Sequence, residues 1–373
     1  MSIKRLEING VRCLCSARLE DCRRINILSG QNGSGKTSIL EAIYLLGMGR
    51  SFRSSHLAPI INHQMSACTV YGELVPLKSV NSTRSLGVRR TRHGRQEFHI
   101  DKEQASGAAG LARALPLQLI NAEALELVEG GPKARRQFMD WGVFHVKPDF
   151  LETWRNFQRC LRQRNRLLRE HKTHQRDRIY PPEIAAWDRE FVRFSIEIDA
   201  LRKEYVADIQ PVFIEVSQHF TRLPSLSLHY QRGWGDGVEL QSVLEEGFER
   251  DLAMGTTMSG PHRANVDIRT DRQLAADVLS RGQIKLVVAA LKLAQGKLLT
   301  AQQGRHCVYL VDDLSAELDQ EHQSLLCELF DKLGAQVFIT GVETDAINGY
   351  WQDTQAVQQF HVKQGVIEQT DTN

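Results

Sequence analysis

Eight consecutive residues near the N-terminus have the types and the spacing that hold a phosphate chain. In order they are Gly30, Gln31, Asn32, Gly33, Ser34, Gly35, Lys36 and Thr37, which fit the pattern G-x-x-x-x-G-K-[ST]. The glycines let backbone N–H groups turn inward, and the start of a following helix adds partial positive charge. Lys36 would reach the β- and γ-phosphates, and the Thr37 hydroxyl would be a ligand of Mg²⁺. The motif therefore predicts ATP and Mg²⁺ as cofactors.

The flanking residues decide whether this match is more than a chance glycine-rich turn. An apolar run, residues 25–28, precedes the motif, and a helix-prone run, residues 38–46, follows it. A strand, a loop and a helix in that order are the context that the motif requires. The sequence therefore favours a phosphate loop over an accidental match.

A second candidate site lies where an apolar stretch, residues 307–311, ends in Asp312 and Asp313. Phosphate-loop enzymes hold Mg²⁺ with an acid that a neighbouring strand delivers. Asp312 would be this acid, and Asp313 would polarise the attacking water as a general base. Taken alone, the better interpretation would be a strand that stops at acidic turn residues. Because a phosphate loop is also present, the functional interpretation is favoured, and Lys36, Asp312 and Asp313 are the predicted catalytic residues.

A third motif opens a long predicted helix near residue 280. Ser280, Arg281, Gly282 and Gln283 resemble part of the L-S-G-G-Q signature of ABC-type ATPases. Ser280 can cap the helix, and Gly282 leaves the helix start accessible to an anion. A plain capped helix is equally consistent with so short a match. The acidic strand follows, and then a D-loop-like segment that ends in Asp319, which is the order of motifs in an ABC head.

The elements that must position these motifs are split between the two ends of the chain. Strand patterns occur at 3–8, 15–19, 25–28 and 117–120, and residues 67–100 look like an antiparallel β meander. Helices are predicted at 132–144, 148–171, 182–220 and 238–254, and strands alternate with helices after residue 260. We therefore predict three parts, which are the N-terminal head with the meander (1–120), a helical arm insert (121–255) and the C-terminal head with the signature and acidic strand (256–373).

Composition excludes several classes of protein. Of the 373 residues, 42% are hydrophobic and 25% are charged, and the net charge is only +2, as in ordinary globular proteins. Seven scattered cysteines without a C-x-x-C pair argue against a disulfide framework or a zinc site. There is no apolar leader and no run of about 18 apolar residues, so we expect a cytoplasmic protein with no membrane partner.

Over nearly its whole length the chain resembles the RecF family, which comprises bacterial recombination and gap-repair ATPases related to the SMC heads. The matching segments are 30–37, 49–53, 130–136, 259–263, 279–285 and 311–319. The resemblance implies an α/β, ABC-type (SMC-head-like) P-loop ATPase fold with a flanking antiparallel β meander and an inserted helical arm domain.

The same resemblance implies an activity and partners. We expect a weak, Mg-dependent and DNA-stimulated ATPase that forms an ATP-dependent homodimer. Ser280, Gly282 and Gln283 of one subunit would contact the γ-phosphate held by Lys36 of the other. The dimer would bind duplex DNA and single-strand/double-strand junctions, and would act with RecR and RecO to favour RecA loading.

Two positions depart from the general ABC pattern. Asp313 stands where many relatives have the longer Glu, so water would be positioned less well and hydrolysis would be slow. Residues 340–343 contain no histidine in the usual switch position. The Q-loop residue also stays open, because Gln118 falls inside a predicted strand and Asn121 or Glu123 would then lie nearer the γ-phosphate.

Five arginines on the first arm helix, here called the arginine stripe, are spaced by four, three, four and three residues and so share one helical face. They are Arg155, Arg159, Arg162, Arg166 and Arg169. An acidic group opposite them would relieve their repulsion: DNA phosphates, an acidic protein, or arm carboxylates such as Glu190 and Glu197. A solvated face is an equally good interpretation. Further candidates for DNA contact are Arg50, Arg53, Arg89, Arg90 and Arg92.

Two other functions fit parts of the sequence. One is an ABC-type ATPase subunit that acts on protein partners or a membrane complex, with the arginine stripe docked on acidic protein. The other is a nuclease of the overcoming-lysogenization-defect type. The chain has no metal-carboxylate domain after residue 345, which argues against the nuclease.

Overall fold

The computed structural model describes residues 2–54, 58–75, 83–173, 180–220, 223–342 and 347–370. The chain divides into two compact units: unit 1 is Met1–Ala124 with Val288–Asn373, and unit 2 is Leu125–Val287. The predicted boundaries were residues 120 and 255, so the second division falls later than expected. The reason is that the strands at Leu226–Gln231 and Asn265–Thr270 pack on the long helices of unit 2. None of the described helices combines the length and the apolar character needed to cross a bilayer.

The elements follow the chain in this order. Within the described residues the strands are β1 (Ser2–Val11), β2 (Leu14–Leu19), β3 (Ile25–Ser29), β4 (Ala67–Val75), β5 (Arg84–Thr91), β6 (Gln96–Ile100), β7 (Glu103–Gln104), β8 (Leu117–Ile120), β9 (Leu226–Gln231), β10 (Asn265–Thr270), β11 (Gln273–Leu274), β12 (Val308–Val311), β13 (Gln336–Gly341), β14 (Val357–Lys363) and β15 (Val366–Thr370). The helices are α1 (Lys36–Met48), α2 (Ala108–Ala114), α3 (Pro132–Val146), α4 (Phe150–Thr173), α5 (Pro182–Ser217), α6 (Leu240–Glu246), α7 (Phe248–Met254), α8 (Ala275–Val278), α9 (Arg281–Gln303), α10 (Leu314–Glu317) and α11 (Gln320–Leu333).

A mostly parallel sheet in unit 1 carries the phosphate loop. Its strand order is β15-β14-β3-β13-β12-β8, and only the edge strand β15 runs antiparallel to its neighbour. β3, β12 and β13 are buried along their whole length, as expected for parallel strands that are covered on both faces. The sequence analysis predicted β3, β8, β12 and β13. It did not predict the hairpin of β14 and β15, although β14 pairs directly with β3.

The predicted meander belongs to a second sheet of unit 1, which is antiparallel throughout. Its strand order is β2-β1-β4-β5-β6-β7, so the two N-terminal strands extend the meander. Alternate residues of β4 are buried, which is the period-2 pattern of a strand with one face on a core. α1 supplies the other side of that core and contacts strands of both sheets. Because it is covered on all sides, α1 buries residues around its whole circumference.

Unit 2 contains the long helices α3, α4 and α5 and a small sheet of order β11-β10-β9. The predicted long helices are present, with α4 and α5 packed against each other. The single helix predicted at 238–254 is wrong: it is two short helices, α6 and α7, which meet at Gly247. Glycine weakens a helix interior by about 1 kcal/mol relative to alanine, which favours a break there.

A buried ion cluster joins three helices of unit 2. Arg164 of α4 donates to Asp188 of α5 and to Asp251 of α7, each at 2.7 Å, and also to Thr257 Oγ1 at 2.9 Å. The side chain of Arg164 is fully buried. Tyr180 donates a further hydrogen bond to Asp188. Since a buried cation without partners is costly, these bonds fix how α4, α5 and α7 pack.

Candidate nucleotide-binding site

The phosphate loop connects the end of β3 to the start of α1. The φ angles of Gly30, Gly33 and Gly35 are 140°, 79° and 118°, which residues with a side chain rarely adopt. Within the loop, the Ser34 N–H donates to the Gln31 carbonyl at 3.2 Å. Gly35 is the N-cap of α1 and makes no side-chain cap, so the helix start is left for an anion.

Lys36 folds back into the loop that precedes it. Its Nζ donates to the carbonyl oxygens of Gly30 at 2.5 Å and Gln31 at 2.9 Å. Burial lowers the pKa of Lys36, while the carboxylates of Asp313 and Asp312 oppose that shift. The ammonium group is thus held by neutral carbonyls close to two acids, from where it can exchange carbonyl oxygens for phosphate oxygens.

Two turns from other parts of unit 1 hold the loop in place, and sequence reasoning missed both. The N–H of Gly365, in the turn between β14 and β15, donates to the Ser34 carbonyl at 2.8 Å. A Cβ at Gly30 would lie 2.2 Å from the Val362 carbonyl, so the hairpin packs directly on the loop. On the other side, a Cβ at Gly35 would lie 3.2 Å from Cys13 Sγ, at the turn between β1 and β2. The glycines are therefore needed for close packing as well as for backbone conformation.

The predicted magnesium residues are in direct contact. Thr37 Oγ1 donates to Asp312 Oδ1 at 2.9 Å, and Thr340 Oγ1 donates to the same oxygen at 2.9 Å. Thr340 follows the parallel register of β13 beside β12, so the sheet itself brings this hydroxyl to the acid. Thr340 is a residue that the sequence analysis did not assign to the site.

Asp313 occupies a different environment from Asp312. Its φ is 53°, a left-handed conformation that carries its side chain into an exposed position. Its N–H donates to Thr340 Oγ1 at 2.7 Å, which fixes the backbone at this point. The two acids therefore have different surroundings. Asp312 accepts hydrogen bonds from two hydroxyls, whereas the side chain of Asp313 is exposed.

The donor set of the loop fits a triphosphate and Mg²⁺. Ser34 Oγ is buried and has no hydrogen-bond partner within the described part of the chain, so it can bond a phosphate oxygen. Thr37 and Asp312 offer a hydroxyl and a carboxylate oxygen, which are ligands that Mg²⁺ prefers. Mg²⁺ usually takes one or two such protein ligands together with substrate phosphates.

A buried acid behind the loop organises the segment after α1. Glu41 of α1 is fully buried and accepts from Arg12 Nε and Nη2, both at 2.8 Å, and from Ser51 Oγ. The hydrogen bond to Glu41 raises the pKa of Arg12. Ser51 Oγ in turn accepts from the Arg53 N–H at 3.0 Å. This chain of bonds places the exposed residues Arg50 and Arg53 beside the end of α1.

The structure removes one of the Q-loop candidates. Gln118 is buried in β8 and donates to Gln295 Oε1 at 2.9 Å, so it does not reach the loop. Asn121 follows β8 directly, at the strand end that neighbours Asp312, whose N–H donates to the Ile120 carbonyl at 3.0 Å. Of the three residues considered, Asn121 therefore lies nearest to the acidic strand end, and Glu123 is exposed.

The signature and D-loop residues take up helix-capping positions. Ser280 and Gln283 form a reciprocal pair at the start of α9: the Ser280 N–H donates to Gln283 Oε1 at 3.0 Å, and the Gln283 N–H donates to Ser280 Oγ at 3.3 Å. Ser280, Arg281 and Gly282 are exposed. Asp319 is the N-cap of α11 and accepts from the His322 N–H at 3.0 Å.

The family model described as "RecF/RecN/SMC N terminal domain" matches residues 2–368. The chain is 48% identical over 372 residues to a protein of Pseudomonas paraeruginosa named DNA replication and repair protein RecF, covering 100% of this chain and 99% of that one. The chain belongs to the RecF family. A Pseudomonas putida protein of the same name is 49% identical over 370 residues, and the match covers 99% of this chain and 99% of that one.

Solved structures with similar folds confirm the predicted fold. A RecF described as a recombination mediator protein with ATPrS is 22% identical, with a TM-score of 0.85 over 99% of this chain and 98% of that one. An SMC head bound to a winged-helix domain of ScpA is 14% identical, with a TM-score of 0.58 over 99% of this chain and 97% of that one. The fold is therefore the α/β, SMC-head-like ATPase fold, with the flanking meander and helical arm present as predicted.

The meander arginines differ in exposure, and Arg90 is a correction. It is 2% exposed, lies 5.2 Å from the Phe98 ring centroid, and cannot offer a surface contact. Strand alternation accounts for this, since Arg90 shares the inward face of β5 with Leu86 and Val88. Arg89 points outward and lies 3.6 Å from Glu97. Arg92 is exposed but donates to the carbonyls of Asn62 and Met65.

The arginine stripe lies on the exposed face of α4, opposite the buried face. Arg166 pairs with Glu170 at 2.7 Å, and Arg169 donates to the Gly255 carbonyl at 3.3 Å. The remaining three members, Arg155, Arg159 and Arg162, make no hydrogen bond or ion pair with any residue that the structure describes. The two arm carboxylates considered as partners are engaged elsewhere, Glu190 with Arg193 and Glu197 with Thr153.

Proposed function

We propose that the protein is an ATP-dependent DNA-binding clamp of recombinational gap repair. The observation that carries the proposal is the match to RecF proteins at 48% identity, which extends over the whole chain. Those relatives are named for DNA replication and repair, and a solved relative is described as a recombination mediator of the RecFOR pathway. Such full coverage includes both the nucleotide site and the arm.

ATP binds in the phosphate loop in this proposal. Lys36 exchanges its bonds to Gly30 and Gln31 for bonds to the β- and γ-phosphates, and the loop N–H groups hold the remaining phosphate oxygens. Thr37 and Asp312 hold Mg²⁺, which when bound neutralises phosphate charge. The exposed carboxylate of Asp313 orients the attacking water. Because Asp is one methylene shorter than Glu, we expect slow hydrolysis.

Two copies of the chain complete the site. The exposed signature residues Ser280, Arg281 and Gly282 are presented at the start of α9, where backbone N–H groups can meet an anion. In the proposed dimer they contact the γ-phosphate bound to the partner, so ATP favours the closed dimer because it binds that state more tightly. Hydrolysis, stimulated by DNA, reopens it.

The arginine stripe supplies a DNA contact that reads no sequence. Its exposed guanidinium groups lie along one side of α4, and four of the five have no acidic partner among the described residues. Arginine forks match phosphate geometry, and phosphate contacts give affinity without base readout. The clamp would accordingly bind duplex DNA and single-strand/double-strand junctions in the cytoplasm, and would act with RecR and RecO to load RecA.

The test is fluorescence anisotropy of a labelled gapped duplex, with and without ATP and Mg²⁺, across a salt series. We expect ATP-dependent binding whose log affinity falls linearly with log salt, since several phosphate contacts release counterions. Lys36→Met is the matched control, because it removes the phosphate contact and leaves the arm intact. Absence of binding by the wild type at low salt would reject the DNA clamp. It would favour an acidic protein as the partner of the arginine stripe.

A further inference from the structure

The segment from Gly130 to Arg136 matches the family pattern, yet the nucleotide site does not use it. It forms the start of α3, a helix of 15 residues, whose first turn contains no acidic residue. Lys133, Arg135 and Arg136 stand there instead. Cations at a helix N-terminus oppose the helix dipole, so local helix stability does not explain them. A positive potential at this surface of unit 2 is the result.

Neutral acceptors hold these guanidinium groups in place. Arg135 Nε donates to Asn265 Oδ1 at 2.8 Å, and its Nη1 donates to the Gly130 carbonyl at 2.7 Å. Arg136 Nη1 donates to the Ala264 carbonyl at 2.9 Å. Carbonyl and amide oxygens orient a guanidinium group but leave its charge in place. The arginines are therefore preorganised and still positive.

A third arginine, Arg263, adds to the same surface from the turn before β10. It is exposed, and its Nη2 donates to the Thr257 carbonyl at 3.4 Å. Among the described residues no carboxylate oxygen lies within 4.0 Å of the side-chain nitrogens of Arg135, Arg136 or Arg263.

The acid that faces this group is already engaged. Asp140 accepts from Arg202 Nε at 2.8 Å and from Arg202 Nη2 at 3.0 Å, so its two oxygens serve a fourth arginine. Burial, and then the like charge of Arg202, lower the pKa of Arg136, and Arg263 and Arg135 act in the same direction. Arg136 is thus close enough to the other three guanidinium groups to be repelled by each of them, and Asp140 is the carboxylate that opposes this effect.

We propose that Arg135, Arg136 and Arg263 form a second phosphate-binding patch, here called the α3 patch, which takes a phosphodiester of duplex DNA. The inference rests on the proposed function and goes beyond it, because it assigns a DNA contact outside the arginine stripe. A phosphate presents oxygens in several directions, which suits guanidinium forks that come from α3 and from the turn before β10. A single carboxylate would satisfy only one of them.

The experiment measures the salt dependence of DNA affinity in the ATP-bound full-length protein. The test variant is Arg136→Gln with Arg263→Gln, and the matched control is Lys147→Gln with Arg193→Gln, which removes two cations that already have carboxylate partners. Loss of two phosphate contacts should reduce the slope of log affinity against log salt by about 1.8, while the control keeps the wild-type slope. The single variant Arg263→Gln, at an exposed position, should reduce the slope by about 0.9 without touching the bond to Ala264.

The outcomes separate this inference from the proposed function. ATP-dependent DNA binding by the wild type, with the same slope in both double variants and in Arg263→Gln, overturns the α3 patch and leaves the clamp in place. Absence of DNA binding by the wild type overturns both. Reduced slopes in the test variants, with unchanged ATP affinity, establish the patch. Arg263→Lys should then keep most of the salt slope, because lysine keeps the positive charge. It should bind DNA more weakly, because lysine lacks the planar fork of the guanidinium group.

Discussion

Thr37 and Asp312 are joined by a hydrogen bond of 2.9 Å between the hydroxyl and a carboxylate oxygen, although they come from opposite ends of the chain. The bond brings together a hydroxyl and a carboxylate oxygen, which are groups that Mg²⁺ prefers as ligands.

Asp312→Asn should remove the dependence of ATP affinity on Mg²⁺. The amide keeps the shape of the side chain and can still accept from Thr37, but it lacks the negative charge that holds the cation. We expect ATP affinity measured with Mg²⁺ to fall about tenfold or more, toward the value measured with a chelator. Titration of a fluorescent ATP analogue with and without Mg²⁺ gives both values. An undiminished response to Mg²⁺ would assign the cation to other ligands.

Asp313→Asn should keep ATP binding and stop hydrolysis. The side chain is exposed and does not bond Thr37, so its loss leaves the loop intact, whereas an amide cannot act as a general base. We expect turnover to fall by about 100-fold, which is the lower range for loss of general-base catalysis. The ATP-bound dimer should persist in size-exclusion chromatography. Rapid hydrolysis by the variant would show that another group orients the water.

Arg159→Glu with Arg166→Glu should weaken DNA binding without changing nucleotide affinity. Both positions are exposed on α4, and charge reversal replaces attraction to phosphate with repulsion. We expect at least about tenfold weaker binding at low salt and a smaller salt slope. Lys332→Glu is the control, because Lys332 is an exposed cation on the acidic helix α11. Equal DNA affinity in wild type and variant would leave the stripe as a solvated face.

Arg164→Met should strongly destabilise unit 2. It leaves Asp188 and Asp251 buried without their cation, and removal of one partner from a buried ion pair costs about 3 to 5 kcal/mol. Four of the five tryptophans, at 141, 154, 187 and 234, lie in unit 2, so fluorescence during urea unfolding reports on it. Arg159→Met, on the exposed face of the same helix, should change the free energy of unfolding by less than about 0.5 kcal/mol. Similar values for the two variants would contradict the structural role of the cluster.

His262 should make unit 2 less stable in mild acid. Burial lowers the pKa of His262 from 6.5 to about 4, so between those values the unfolded chain binds a proton that the folded chain excludes. Stability contributed by the neutral imidazole is present above pH 6.5 and is lost as pH falls toward 4. From pH 7 to pH 5 the free energy of unfolding should drop by about 2 kcal/mol more in wild type than in His262→Gln. Parallel pH profiles would show that His262 titrates normally.

The phosphate loop and Asp312 could be predicted because their chemistry depends on short motifs in a recognisable strand and helix context. The burial of Arg164 and of Arg90 could also have been predicted from the sequence, but it was not. Arg164 follows Phe157 and Cys160 on the buried face of α4, and Arg90 follows Val88 on the inward face of β5. The apolar neighbours on the same face mark both arginines as buried, whereas charge alone does not distinguish a buried arginine from an exposed one.

Other parts of the site were beyond local reasoning. Thr340 reaches Asp312 through the register of β13 on β12, and Gly365 reaches Ser34 through the pairing of β14 with β3. Such contacts join residues that are distant in sequence, and one chain without related sequences carries no signal for them. The division at residue 287 has the same origin, since β9, β10 and β11 join unit 2 through tertiary packing.

The neighbours of β3 in its sheet determine when, during synthesis of the chain, that sheet can form. Its two neighbours in the sheet, β13 and β14, begin at Gln336 and Val357, so β3 has no partner strand until those later segments have been synthesised. The antiparallel sheet needs only strands that end by Gln104 and can form much earlier. We therefore expect the parallel sheet that carries the phosphate loop to form after the antiparallel sheet, once β13 and β14 have been synthesised.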